Sequence, residues 1–305
     1  MPARDWGGLA VLLGPRPKLA EPLSRHTSFK IGGPAEAWAE PHDEAELAAC
    51  LAAAKALDAP VTLLSGGTNV LVLDGGIPGL VIGLNGAFSG WSRDGDTVAA
   101  GAAMNLALLA RKCSLAGLGG LEWAVGIPGS LAGGLVMNAG AHGGEMKQVV
   151  RSVSLVLDGR AQRWDAAECG FQYRHSRFKE FEPGRLVLTG AVLALRPEPV
   201  ESLKAKMDEA LAKRKASQPL DQPNAGCVFK NPEGGSAGRL IEEAGLKGRK
   251  LGGAMISDKH ANFVVNLGGA KATDVLGLMR EAREAVKARA GVELKDEILV
   301  LGVEA

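Results

Sequence analysis

Three stretches of this sequence bring peptide N–H groups together where few bulky side chains stand in the way. They are Lys30-Ile31-Gly32-Gly33-Pro34, Ser65-Gly66-Gly67-Thr68-Asn69, and Gly126-Ile127-Pro128-Gly129-Ser130 running on through Gly133-Gly134. Consecutive glycines let backbone amides approach a diphosphate without Cβ obstruction, and a helix starting near Gly129 would add its positive end to the same anion. A single glycine pair is more often a strand turn; three such loops in one domain point to a dinucleotide cofactor. No GxGxxG and no GK[ST] occurs, so neither a Rossmann fingerprint nor a P-loop carries the nucleotide. A different cofactor fold is expected.

Composition excludes several other chemistries. Cys50, Cys113, Cys169 and Cys227 form no CxxC pair and the five histidines no HExxH, so no metal site is expected. With 35 basic against 34 acidic residues the net charge is +1, and a single tyrosine, Tyr173, supplies little for base stacking, so nucleic acid is not an expected partner. The apolar run Leu9–Leu13 ends at Gly14-Pro15 and fits neither a signal peptide nor an anchor. Trp123–Gly144 is uncharged to Gly144 and long enough to span a bilayer, but its glycines, Pro128 and Asn138 suit a turn-rich loop. No membrane contact and a cytoplasmic location are the expectation.

The elements that must position these loops are readable in part. Asp43 with Glu46 three residues on opens a helix to about Leu57, and Val61–Leu64, Val70–Leu73 and Leu80–Ile82 read as strands. Asn105–Leu115 reads as a helix, and Val153–Leu157 and Gln162–Trp164 flank the hairpin signal Asp158-Gly159. A strand from about Leu186 to Leu195 ends before Pro197 and Pro199, which mark a domain boundary near residue 200. Beyond it come helices over Val200–Lys215, Ala237–Ala244 and Thr273–Ala290, the last capped by Gly291, and strands over Phe263–Leu267 and Ile298–Val303. Without strict βαβ alternation the fold class is α+β.

At this point the motifs resemble a known family. His26–Ala35 (HTSFKIGGPA), Ser65–Val72 (SGGTNVLV) and Gly126–Gly143 (GIPGSLAGGLVMNAGAHG) resemble the FAD-binding loops of the UDP-N-acetylenolpyruvoylglucosamine reductases, or UDP-N-acetylmuramate dehydrogenases. Phe171–Lys179 (FQYRHSRFK), Asn224–Pro232 (NAGCVFKNP), Ala237–Gly248, Gly252–Asn266 and Leu294–Gly302 continue the resemblance in family order over roughly residues 20 to 303. Chain length and the absence of an extra tyrosine-bearing loop are similar to the family's shorter subtype. The resemblance implies a two-subdomain FAD-binding fold of the vanillyl-alcohol-oxidase (PCMH) type, residues 20–199, split near 85. It further implies a smaller α+β substrate-binding domain, 200–292, and a C-terminal strand, 293–305, returning to the FAD-binding domain, with residues 1–19 as an N-terminal extension.

The implied cofactor is non-covalent FAD, with NADPH as hydride donor. Its contacts would be Lys30, Ile31, Gly32, Gly33, Ser65, Gly66, Gly67, Thr68, Asn69, Val70, Gly126, Ile127, Pro128, Gly129, Ser130, Gly133, Gly134, Asn138, Ala139 and Gly140. The implied substrate is UDP-N-acetylglucosamine enolpyruvate, met by Tyr173, Arg214, Lys215, Lys230, Asn231, His260 and Asn262, with Lys259 in the same stretch.

Three residues match the family's catalytic positions. Arg174 is the arginine of the YR pair, a permanent cation able to hold a carboxylate through two parallel hydrogen bonds. Glu297 would bind that carboxylate or assist proton delivery. Cys227 stands where the family's usual proton donor is serine, and a thiol, with an ordinary pKa near ~8.5, is the stronger acid. A monomer is expected, with other cell-wall enzymes as further partners. The alternatives are an FAD-dependent oxidase of the same fold, or a non-catalytic sugar-nucleotide-binding module.

Overall fold

The computed structural model describes residues 4–6 and 17–305; Leu9–Leu13 and most of the predicted N-terminal extension lie outside the described residues. The chain forms two compact units, each assembled from separated stretches. The first takes the described residues up to Leu19, Ala37–Gly66 and Gly79–Lys213; the second takes Ala20–Glu36, Gly67–Pro78 and Arg214–Ala305.

In the first unit, helix α1 (Glu44–Ala56) starts as its sequence predicts: the Asp43 carboxylate accepts the Glu46 N–H at 2.8 Å, satisfying a donor that the first turn leaves open. Strand Val61–Leu63 follows and pairs in parallel with Leu80–Ile82, and Leu47, Cys50 and Ala53 of α1 share an apolar cluster with Val61, Leu80 and Ile82. A five-stranded antiparallel sheet runs Arg160–Asp165, Val150–Leu157, Leu186–Ala194, Thr97–Gly101, Trp91–Asp94. Its predicted hairpin turns on Asp158 and Gly159, both with positive φ (50° and 77°), as a two-residue hairpin loop requires. A second hairpin joins Trp91–Asp94 to Thr97–Gly101 over Gly95. Its two-residue loop is Gly95-Asp96, with glycine first, and the sequence pattern places no strands there.

Helices α2 (Leu106–Leu115) and α3 (Leu131–Val136) add Leu109, Leu131 and Leu135 to a core shared with Val98, Val153 and Leu193 of the sheet. Helix α4 (Val200–Ser217) begins directly after Pro199 and buries Leu203, Met207 and Ala210. The uncharged Trp123–Gly144 stretch holds the six-residue α3, short turns and part of a two-residue-strand hairpin, and no helix of the described residues is long and apolar enough to cross a membrane.

In the second unit, an antiparallel sheet runs Asn224–Cys227, Phe263–Asn266, Ala254–Ile256, Lys250–Leu251. Helices α5 (Ala237–Glu243) and α6 (Ala272–Ala290) bury Ile241, Val275 and Leu278 in a core that includes Phe29, Ile31, Leu71, Phe229 and Ile298. Helix α6 ends on Gly291, whose left-handed φ of 68° is the conformation that favours glycine at this position. The last strand, Leu299–Leu301, pairs in parallel with Val70–Val72. Mainly antiparallel sheets, with Leu299–Leu301 parallel to Val70–Val72 and Val61–Leu63 parallel to Leu80–Ile82, and helices mixed among them make the fold α+β.

Candidate active site

Within the first unit, two of the glycine loops meet. A Cβ on Gly66 would stand 2.8 Å from the Cα of Gly129, so backbone approaches backbone. The hydroxyls of Ser65 and Ser130 hydrogen-bond to each other, and Ser130 also caps α3 by accepting the Gly133 N–H at 3.2 Å. Gly134 is buried against Leu106, Ile127 packs on the apolar core, and Gly126 stays half-buried beside the exposed Pro128. Beyond α3, Ala139 is buried and Gly140 pairs with Glu145 in a short hairpin.

The same loop grips the turn that carries Arg174. Asn138 is buried with φ 42°, and its amide donates to Glu145 Oε2 at 2.8 Å and to the carbonyl of Gln172 at 3.0 Å. Gln172 and His175 exchange backbone hydrogen bonds, closing a tight turn with Tyr173 and Arg174 at its tip, and Ser176 donates to the Val136 carbonyl at 2.7 Å. Arg174 takes φ 53°, and its guanidinium lies 5.7 Å from the Tyr173 ring. Tyr173 is 61% exposed, which leaves its phenol open to a ligand.

In the second unit, the Lys30–Gly33 loop is backbone-led. Lys30 is exposed with φ 56°, while the Ile31 side chain is buried in the core and its carbonyl accepts the Thr27 hydroxyl at 3.0 Å. Gly33 donates to the Leu73 carbonyl at 3.1 Å, and Gly32 fits against Val72, whose Cβ would be 2.9 Å from an added Cβ. Gly67 accepts the Ser28 N–H at 2.9 Å, and Thr68 leads to Asn69 and to Val70 at the start of its strand. Ser28, which the sequence does not single out, also donates its hydroxyl to the Asn224 carbonyl at 2.7 Å. The available signal was its place inside the His26–Ala35 motif.

Two of the three predicted catalytic residues sit on adjoining segments of this unit. The Glu297 N–H donates to the carbonyl of Val228 at 2.9 Å, Lys230 N–H to the carbonyl of Lys295 at 2.8 Å, and Phe229 bridges Asp296. Cys227, half-buried, follows Gly226 at φ 79° and faces Phe263 in its strand pairing. Asn262 is buried and clamps this segment: its amide donates to the Phe229 carbonyl at 2.8 Å, its Oδ1 accepts the Phe229 N–H at 3.0 Å, and its carbonyl accepts the Val228 N–H at 2.9 Å. Arg174 belongs to the first unit.

The remaining candidates sit around that segment. Arg214, in the last turn of α4, is held below its ordinary pKa by burial. Lys215 is exposed and its carbonyl accepts Lys259 Nζ at 2.6 Å. Lys230 is half-buried, and Asn231 Oδ1 accepts the Ala237 N–H at 3.0 Å at the start of α5, which Ser236 caps. His260 packs edge-on against Phe263, and burial lowers its pKa, favouring the neutral ring.

A surface of glycine backbone and serine hydroxyls, with no carboxylate among Ser65, Gly66, Gly129 and Ser130, is the donor set a diphosphate takes, and so fits FAD. Residues 35–163 match an FAD binding domain. Fold and loops together define a flavin-dependent oxidoreductase. Residues 218–301 match the UDP-N-acetylenolpyruvoylglucosamine reductase C-terminal domain. A protein of Symbiobacterium thermophilum called UDP-N-acetylenolpyruvoylglucosamine reductase 2 is 48% identical over 288 residues, 94% of this chain and 92% of its own. The Heliobacterium modesticaldum reductase is 49% identical over 284 residues, 92% and 90% of the two chains. The crystal structure of the Thermus caldophilus reductase aligns with a TM-score of 0.80 at 40% identity, over 92% of this chain and 97% of its own. The chain belongs to the UDP-N-acetylenolpyruvoylglucosamine reductase family.

Proposed function

We propose that this protein reduces UDP-N-acetylglucosamine enolpyruvate to UDP-N-acetylmuramate in peptidoglycan precursor synthesis, as a cytoplasmic monomer that uses NADPH. A dissociable FAD, held by the loops at 65–69 and 126–134, would supply the hydride chemistry that links NADPH to the terminal methylene carbon of the substrate. Hydride addition there leaves negative charge at the neighbouring carbon, shared with its carboxylate. Arg174 holds that carboxylate and stabilises the charge, since preformed cations cost no reorganisation as charge develops. Cys227 then gives its proton to the charged carbon, turning the CH2=C unit into CH3–CH, and Glu297 binds the carboxylate or assists that proton.

In this reading residues 20–199 hold the flavin and residues 200–292 the sugar nucleotide, with the strand from 293 to 305 returning to the flavin domain. Tyr173, Arg214, Lys215, Lys230, Asn231, His260 and Asn262 serve the substrate side. The observation that carries the reading is the backbone pairing of Val228–Lys230 with Lys295–Glu297, which sets the Cys227 and Glu297 segments side by side. The test is anaerobic spectroscopy: the purified protein shows oxidised flavin, NADPH bleaches it, and the UDP-linked enolpyruvyl sugar restores the colour. Hydrogen peroxide release from an alcohol, without response to the sugar, assigns an oxidase instead. Tight UDP-sugar binding with no flavin after reconstitution assigns a binding module.

A further inference from the structure

Asn69 makes two contacts that a flavin-loop residue has no need of. Parallel pairing of the last strand begins at Leu299 opposite Val70, and Asn69 extends it: its carbonyl accepts the Leu299 N–H at 3.0 Å, and its side-chain Nδ2 reaches the carbonyl of Glu297 at 3.2 Å. On the other flank the Glu297 N–H is already donated to Val228. The main chain of Glu297 is therefore tied on one side to the segment after Cys227 and on the other to the end of the Ser65–Asn69 loop. A side chain's reach is set by its Cα, and displacements of about 1 Å at a reacting group can cost on the order of 100-fold in rate.

We propose that Asn69 is a positioning residue for Glu297, through which the flavin-binding loop sets where this carboxylate stands. The proposal rests on the reaction assigned above. It adds a coupling: ordering of the loop by FAD is transmitted through one carboxamide to the Glu297 backbone. The geometry distinguishes Asn69 from its neighbour Thr68, since it is the Asn69 carboxamide that donates to the Glu297 carbonyl.

A double-mutant cycle tests this. Asn69→Ala slows recolouring of reduced enzyme by the enolpyruvyl sugar about tenfold more than it slows bleaching by NADPH, and in a Glu297→Gln background it slows recolouring by no more than about twofold. An equal loss in both backgrounds overturns the proposal, because Asn69 then acts through the flavin or through stability alone. Asn69→Ser, a smaller change that also removes the amide donor, repeats the cycle if the alanine variant folds poorly. Amide hydrogen exchange gives a readout independent of turnover. FAD saturation slows exchange over residues 295–299 in the wild-type chain and not in Asn69→Ala; equal slowing in both overturns the coupling. A wild-type protein that bleaches with NADPH yet never responds to the sugar refutes the proposed reaction, and the exchange result then decides the role of Asn69 by itself.

Discussion

The Asn138 side-chain amide donates to the carbonyl of Gln172 at 3.0 Å, which fastens the turn bearing Arg174 to the glycine-rich loop that leads out of α3. Asn138 makes this contact while also bonding Glu145 and accepting the Lys147 N–H at 3.0 Å. Its φ of 42° is a conformation that asparagine tolerates better than most residues.

Replacing Asn138 by alanine removes all three bonds and leaves a strained backbone. A loss of about 2–4 kcal/mol in folding stability is expected. Recolouring by the sugar slows as the Arg174 turn loosens. Asn138→Gly relieves the backbone but not the bonds, so it recovers part of the stability and none of the rate. Urea unfolding and stopped-flow absorbance measure the two; a glycine variant with wild-type recolouring would detach Asn138 from Arg174.

At Cys227 the expected order is thiol and hydroxyl active, methyl inactive. Cys227→Ser retains turnover, and Cys227→Ala loses roughly 10²–10⁴-fold in recolouring by the sugar while NADPH still bleaches the flavin. Equal recolouring rates for the alanine variant and the wild type remove the cysteine from proton transfer.

What was legible in the sequence was local. Asp43 with Glu46, Asp158-Gly159 and Gly291 each announce a cap or turn within four residues, and the structure places α1, the hairpin and the end of α6 there. The α+β class followed from the mixture of periodicities. Asn262 and Asn69 show the limit. Both read as polar groups beside a ligand, yet their carboxamides bond backbone at Phe229 and Glu297, 33 and 228 residues away in sequence. A motif reports that an amide is present and says nothing of which distant carbonyl occupies it. The Trp91–Asp94 strand is a different case, because its loop Gly95-Asp96 is a local glycine-first hairpin signal.

Gly66→Ala tests the meeting of the two glycine loops. The added methyl lands 2.8 Å from the Gly129 Cα, which is backbone and cannot rotate away. A cost of about 1–3 kcal/mol follows from forced separation of the loops. With FAD seated on these loops as proposed, the purified variant carries less flavin, read as the ratio of visible to ultraviolet absorbance. Full flavin content with unchanged affinity would place the cofactor elsewhere.

Thiol chemistry separates Cys227 from the other cysteines. Cys50, Cys113 and Cys169 are buried, and burial first of all pushes each up to about 11; Cys227 is half-buried. At pH 8 only about one in a thousand of each buried thiol is ionised, so a disulfide reagent finds one fast thiol in the native protein and four after unfolding. Cys227→Ser abolishes the fast phase, and two or more fast thiols in the wild-type protein would refute the assignment. The raised values also fix a sign for stability. A thiol held neutral in the fold contributes fully below its unfolded pKa and loses that contribution as pH climbs through the folded one. Stability therefore falls between about pH 9 and 11, by up to roughly 2–3 kcal/mol per thiol, and Cys113→Ala flattens its share of that slope in denaturant titrations at successive pH.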